Sequence, residues 1–108
     1  MNTTQRVRLC ALDEMEPCSA RRFDVGRHRI ALVRIDDDVY AIGDTCTHAE
    51  VSLSEGEIDC DDRTLECWKH GSQFSLETGA AMSLPATRPE PVYTATVEDG
   101  DVFVEVPT

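Results

Sequence analysis

Cys46-Thr47-His48 and Cys67-Trp68-Lys69-His70 are two short boxes separated by eighteen residues. Between them they use two of the five cysteines and two of the three histidines in a chain of 108 residues. Thiolate and imidazole are strong ligands for zinc and iron. With one residue between Cys46 and His48, a tight turn can aim both side chains inward, and Cys67 with His70 can do the same from a second loop. Cys46, His48, Cys67 and His70 are therefore the candidate ligands of a metal centre.

Two metal chemistries suit this donor set. Two cysteines and two histidines satisfy tetrahedral zinc, although zinc sites more often pair cysteine with cysteine in each half. The alternation of one thiol and one imidazole per box also suits a two-iron, two-sulfide cluster in which one iron takes both thiolates and the other both imidazoles. In that arrangement each loop gives one ligand to each iron. The two thiolates cancel the positive charge of the diferric core, and the imidazoles add none, so the oxidised centre is neutral. A neutral centre accepts an electron more easily than an anionic one, which raises the reduction potential over an all-cysteine cluster. Imidazole ligation also lets reduction couple to protonation.

Beyond the boxes, the sequence runs His70-Gly71-Ser72-Gln73-Phe74, then Thr78-Gly79, then Pro85-Ala86-Thr87 and Pro89. On these residues and the two boxes, nearly the whole chain resembles the Rieske family. The resemblance implies an all-β fold, an antiparallel β-sandwich or barrel forming a single domain over residues 1–108. Within it, a small cluster-binding subdomain at about residues 44–86 presents the two ligand loops. A third, proline-containing loop, here Leu84 to Pro89, packs beside the cluster. It further implies one [2Fe-2S] cluster per chain, held by Cys46, His48, Cys67 and His70. Such a protein is a soluble, monomeric one-electron carrier rather than an enzyme. Its expected partners are a flavin-dependent ferredoxin reductase and a ring-hydroxylating non-heme iron oxygenase. Rieske proteins associated with iron-sulfur cluster assembly and small subunits of nitrite reductase are alternatives within the family. A zinc-stabilised interaction module is the alternative outside electron transfer.

Three departures from the patterns of relatives stand out. Relatives often place a proline after the second cysteine, where this chain has Trp68. High-potential relatives add a cysteine to each box and bridge the two, whereas Val51 and Lys69 occupy the corresponding places here. High-potential relatives also carry a serine and a tyrosine hydroxyl at the positions of Ser72 and Phe74, and this chain keeps the serine alone. The resemblance thus implies a potential in the lower part of the roughly −150 to +300 mV range of such centres.

Composition narrows the function further. With 41% hydrophobic residues the chain can bury one modest core. Twenty-one acidic residues against ten basic ones give a formal charge of −11, which excludes nucleic acid as a partner and either steers the chain toward basic docking patches on other proteins or serves solubility alone. The N-terminal residues are polar and no apolar run approaches a membrane span, so a cytoplasmic location and no membrane partner are expected. One histidine, His28, remains once the four ligands are assigned, too few for a second iron held by two histidines and a carboxylate. No glycine-rich fingerprint for a flavin or nicotinamide is present. The chain is therefore expected to pass electrons between other proteins.

The expected elements are short strands. Arg6 to Leu9 alternates polar and apolar, Arg29 to Ile35 and Val39 to Ile42 flank an Asp36-Asp37-Asp38 turn, and Val102 to Val106 alternates after Asp99-Gly100. A turn at residues 61–64 makes Ile58 to Leu65 a hairpin between the boxes. Cys10, Cys18 and Cys60 are read as inert thiols, and His28 as a surface residue in a turn.

Overall fold

The computed structural model describes residues 4–47, 51–69, 71–84 and 86–107. Its strands, in chain order, are β1 (Thr4–Ala11), β2 (Ser19–Val25), β3 (His28–Ile35), β4 (Asp38–Gly43), β5 (Glu57–Asp59), β6 (Thr64–Glu66), β7 (Gln73–Ser75), β8 (Val92–Glu98) and β9 (Asp101–Pro107). Every pairing is antiparallel, in a six-stranded sheet of order β1-β9-β8-β4-β3-β2 and a three-stranded sheet of order β5-β6-β7. Two single 3-10 turns, Leu12–Glu14 and Leu53–Glu55, are the helical elements among the described residues. None is long and apolar enough to cross a membrane.

Strand β3 explains how one sheet serves two cores. Ile30-Ala31-Leu32-Val33 is fully buried, and successive side chains of a strand point to opposite faces. Ile30 and Leu32 join Ala41, Cys10, Val102, Val104 and Val106 in the core enclosed by the curled main sheet. Ala31, Val33 and Ile35 face the other way, onto Leu53, Leu65, Phe74 and Leu76 of the small sheet and its flanks. Cys46 and Cys67 lie in that second core. Each fully buried valine, leucine, isoleucine or phenylalanine among them contributes about 1.5–3 kcal/mol, so the main sheet forms a firm wall behind the two cysteines.

The hairpin turns follow from their residues. Asp99 and Gly100 both take positive φ, 51° and 81°, the geometry of a two-residue turn whose twist matches its strands. Between β5 and β6, the Asp59 carboxylate accepts the backbone N–H groups of Asp61 and Asp62 and folds the loop back. In β1 the register shifts between Arg8 and Cys10, and this bulge turns Cys10 into the core. Burial pushes the Cys10 thiol up from its ordinary pKa, as expected of an inert thiol.

Three expectations are corrected. Cys18 and Cys60 are not thiols but a disulfide, with Cα atoms 6.1 Å apart across a sequence separation of 42. The pairing arises because Cys18, just before β2, is tied by its N–H to Arg34 of β3, beside the place where the β5–β6 turn presents Cys60. Closing a loop of that length is worth about 4 kcal/mol by chain entropy. His28 is not in a turn: it opens β3, half-buried, with its ring nitrogens 3.3 Å from the Tyr93 hydroxyl and 3.1 Å from the Pro107 carbonyl. Strands β2 and β8 complete the main sheet but were not expected from the sequence pattern.

Candidate metal centre

The first box follows directly from β4. Beyond Gly43 the chain turns at Asp44, a carboxylate that is 1% exposed. One carboxylate oxygen accepts the Ser52 hydroxyl, the other accepts the Ser54 N–H at 2.9 Å, and the Asp44 carbonyl accepts the Leu53 N–H at 2.6 Å. The Asp44 N–H in turn donates to Arg29 of β3 at 2.9 Å. Asp44 thus staples both ends of the first loop to the main sheet, using charge-assisted bonds stronger than neutral ones. Nothing in the sequence pattern singled it out.

The two boxes close in the same way. The Cys46 N–H donates to the Val51 carbonyl at 3.0 Å, and the Cys67 N–H donates to the Ser72 carbonyl at 2.7 Å. Outside these bonds Thr45 bridges Ser52, and Glu66 pairs with Gln73. Each cysteine therefore opens a loop that is shut by the residue five positions on. In the second loop the Gly71 N–H returns to the Cys67 carbonyl at 2.9 Å, and Gly71 sits at φ 77°, where a side chain would be strained. Trp68, the departure from the family's proline, occupies this turn with its side chain 55% exposed.

The third loop knits the other two together. The Thr47 hydroxyl donates to the Arg88 carbonyl at 2.7 Å, and the Arg88 guanidinium donates back to the Thr47 carbonyl at 3.1 Å. Ser72, fully buried, accepts the Ala86 N–H on its hydroxyl oxygen at 3.0 Å, which leaves its hydrogen to donate elsewhere. The Met82 N–H and the Ser83 hydroxyl pair with the backbone of Gln73. Gly79, at φ 75°, passes so close to the Glu90 backbone that a Cβ would overlap it.

Glu90 is the unexpected titratable group. Its side chain is buried behind the first loop, and Oε1 has no hydrogen-bond partner among the described residues. Burial raises its pKa to about 8, the Thr47 N–H pulls it down, and the Asp44 carboxylate pushes it up again. The sequence clue was slight: a carboxylate between Pro89 and Pro91, neither of which has an N–H to offer it.

Cys46 and Cys67 are 3% and 0% exposed, share one apolar core, and stay out of the disulfide. His48 and His70 lie outside the described residues, and so does Pro85 of the third loop. Among the described residues no group of three or more histidine, cysteine and acidic side chains gathers to hold a metal. The chemistry of the donors that are described nevertheless fits an iron-sulfur group: two soft sulfurs in one apolar core, the second of them in a loop closed by the backbone of the buried Ser72.

The family model of the Rieske [2Fe-2S] domain matches residues 5–102. The chain belongs to the Rieske [2Fe-2S] family. It is 40% identical over 102 residues to the ferredoxin subunit of 3-phenylpropionate/cinnamic acid dioxygenase of Escherichia coli (strain K12), covering 94% of each chain. Among solved structures it is similar to the ferredoxin of carbazole 1,9a-dioxygenase from Nocardioides aromaticivorans IC177, with a TM-score of 0.90, 34% identity, and 93% of this chain and 96% of that one covered. It also matches a chain in a complex of reduced oxygenase and oxidized ferredoxin in carbazole 1,9a-dioxygenase, at 40% identity and a TM-score of 0.84, covering 91% of this chain and 99% of that one. The all-β fold implied by the sequence is the fold of these Rieske ferredoxins.

Proposed function

We propose that this Rieske protein is a ferredoxin, taking single electrons from a flavin-dependent reductase and delivering them to a non-heme iron, ring-hydroxylating oxygenase. Cys46, His48, Cys67 and His70 hold its cluster, which supplies one reversible electron-accepting site per chain. The observation that carries the reading is the matched closure of loops 46–51 and 67–72, each with its cysteine buried in one shared core. Such a pair of loops offers one sulfur from each side, as a cluster gripped between two loops requires. The single domain works as a monomer in the cytoplasm, with residues 44–86 as its cluster-binding part.

The surroundings suit a carrier. Trp68, Met82 and Leu84 are 55%, 59% and 77% exposed; Trp68 lies on the second loop, Leu84 opens the third, and Met82 stands just before it, where hydrogen bonds from Met82 and Ser83 join the chain to Gln73 and Gly71. An oxygenase docking there meets exposed apolar side chains on the loop that carries Cys67 and on the chain hydrogen-bonded to it. The chain's charge of −11 steers it toward basic patches on such a partner. The names of the relatives support oxygenase as the electron acceptor.

The test is metal analysis of the purified protein, followed by substitution of the ligands. The wild type is expected to be red-brown with about two irons and two acid-labile sulfides per chain. Cys46→Ser, His48→Ala, Cys67→Ser and His70→Ala each abolish or badly damage the cluster, whereas Cys10→Ser leaves its spectrum intact. Stoichiometric zinc without sulfide would instead establish the zinc module.

A further inference from the structure

The Cys18–Cys60 bond lies where the two sheets meet. Cys18 precedes β2 of the main sheet, and Cys60 begins the β5–β6 turn of the small sheet. Cys60 packs with Ala20 and Ile58 against the core that contains Cys46 and Cys67. The chain between the two bonded residues includes the whole first ligand loop. This disulfide is not the family's bridge between boxes, whose places are taken by Val51 and Lys69.

Its setting makes it open to exchange. Cys18 is exposed and Cys60 half-exposed, so a thiolate can reach either sulfur. Cys18 also sits at φ 67°, a left-handed conformation that is unfavourable for a non-glycine residue and is held by its surroundings. Acidic residues flank both partners: Glu14 and Glu16 before Cys18, and Asp59, Asp61 and Asp62 around Cys60. A dithiol suits the site because its second thiol resolves the mixed disulfide without a further encounter.

We propose that Cys18–Cys60 is a reversible redox modification site, opened by a dithiol reductant, and that its closed form braces the small sheet against the main sheet so that the cluster is retained. One thiolate of the dithiol attacks a protein sulfur, breaking the bond and forming a mixed disulfide. The second thiol then displaces the protein. Two electrons and two protons pass to Cys18 and Cys60, and the reductant leaves as its own disulfide. The effect on the cluster rests on the function proposed above; the exchange itself does not.

The holoprotein is tested after its iron and sulfide have been measured, so that failure of the cluster reading is seen first. Native protein is incubated with or without dithiothreitol, alkylated, and mapped by mass spectrometry. Bleaching of the visible spectrum in excess chelator and the thermal midpoint are followed in parallel. Without reductant, Cys18 and Cys60 are expected to stay unlabelled. With it, both are alkylated, bleaching accelerates at least threefold, the midpoint falls, and reoxidation reverses all three. The Cys18→Ser/Cys60→Ser variant keeps the wild-type spectrum but bleaches at the fast rate with or without dithiothreitol, which separates the bond from any direct action of the reagent on iron. Alkylation of both residues before reduction, resistance of the bond in the native protein, or opening with unchanged bleaching and midpoint each overturns the proposal. In a preparation without cluster, labelling and midpoint still decide the exchange and the bracing of the two sheets.

Discussion

Loop 46–51 is tied from outside, whereas loop 67–72 largely ties itself. The first depends on Asp44, whose carboxylate bonds to Ser52 and Ser54, and on the Thr47–Arg88 exchange with the third loop. The second is shut by its own backbone, through Cys67 to Ser72 and Gly71 to Cys67, and reaches out mainly through Ser72 to Ala86. The two loops share a closure pattern but place their stability in different hands. A side-chain staple can be removed by one substitution, whereas a backbone closure cannot. The difference predicts that the first loop is sensitive to residues far from its ligands and that the second responds mainly electronically.

The largest effect is expected at Asp44. Asp44→Ala leaves the Ser54 N–H and the Ser52 hydroxyl without their acceptor in a buried place, and should cost about 3 kcal/mol of stability. Chemical denaturation measures it. A loss no greater than that of Ser72→Ala, expected at about 1 kcal/mol, would break the contrast between the loops.

Glu90 gives the comparison a pH dependence. Its carboxyl has a pKa of about 8 in the folded chain against an ordinary 4.5, so between these values the native state keeps a proton that the unfolded state has lost. Stability contributed by this group therefore falls as pH rises from about 4.5 to about 8 and levels off above. Because Glu90 also lines an open cleft with Arg29 and Tyr93, solvent screens part of the penalty, and about 2 kcal/mol is expected. Glu90→Gln should raise the melting temperature at pH 9 and change it little at pH 4.5. An equal gain at both values would remove the carboxylate's charge from the account.

At the second loop the expected changes are electronic. A hydrogen bond to a cluster or ligand sulfur favours the reduced state, which carries the extra negative charge. Ser72→Ala should therefore lower the reduction potential and Phe74→Tyr should raise it. The wild-type value should lie in the lower part of the roughly −150 to +300 mV range. Protein-film voltammetry of the three forms checks this, and an unmoved potential in Ser72→Ala would show that its hydroxyl serves Ala86 alone.

The smallest effect concerns encounter rather than structure. The rate of electron transfer to a cognate reductase should fall severalfold between low and physiological ionic strength, as screening weakens steering by the acidic surface. A rate independent of salt would confine the charge to solubility.

By itself the sequence proposed the donors and determined the local turns. Cys46, His48, Cys67 and His70 announce a metal centre because few other constraints place cysteine and histidine at such short, repeated spacings. Asp99-Gly100 and the alternation of Val102, Val104 and Val106 are equally local, since positive φ and the two-residue period of a strand are properties of neighbouring residues. Strand β8 was hidden because its apolar residues do not mark its buried face: Val92 and Val97 are exposed while Tyr93 and Ala95 pack inward. Strand β2 was hidden because Arg21 and Arg22, successive residues on opposite faces of an edge strand, are both exposed, so no apolar alternation marks it. Only the tertiary structure decided that Cys18 meets Cys60, that Asp44 holds the first loop, that His28 bonds to Tyr93, and that Glu90 is buried with one carboxylate oxygen unpartnered among the described residues. Each of these joins or strands groups through sheet register and core packing, which bring together residues that no spacing along the chain relates.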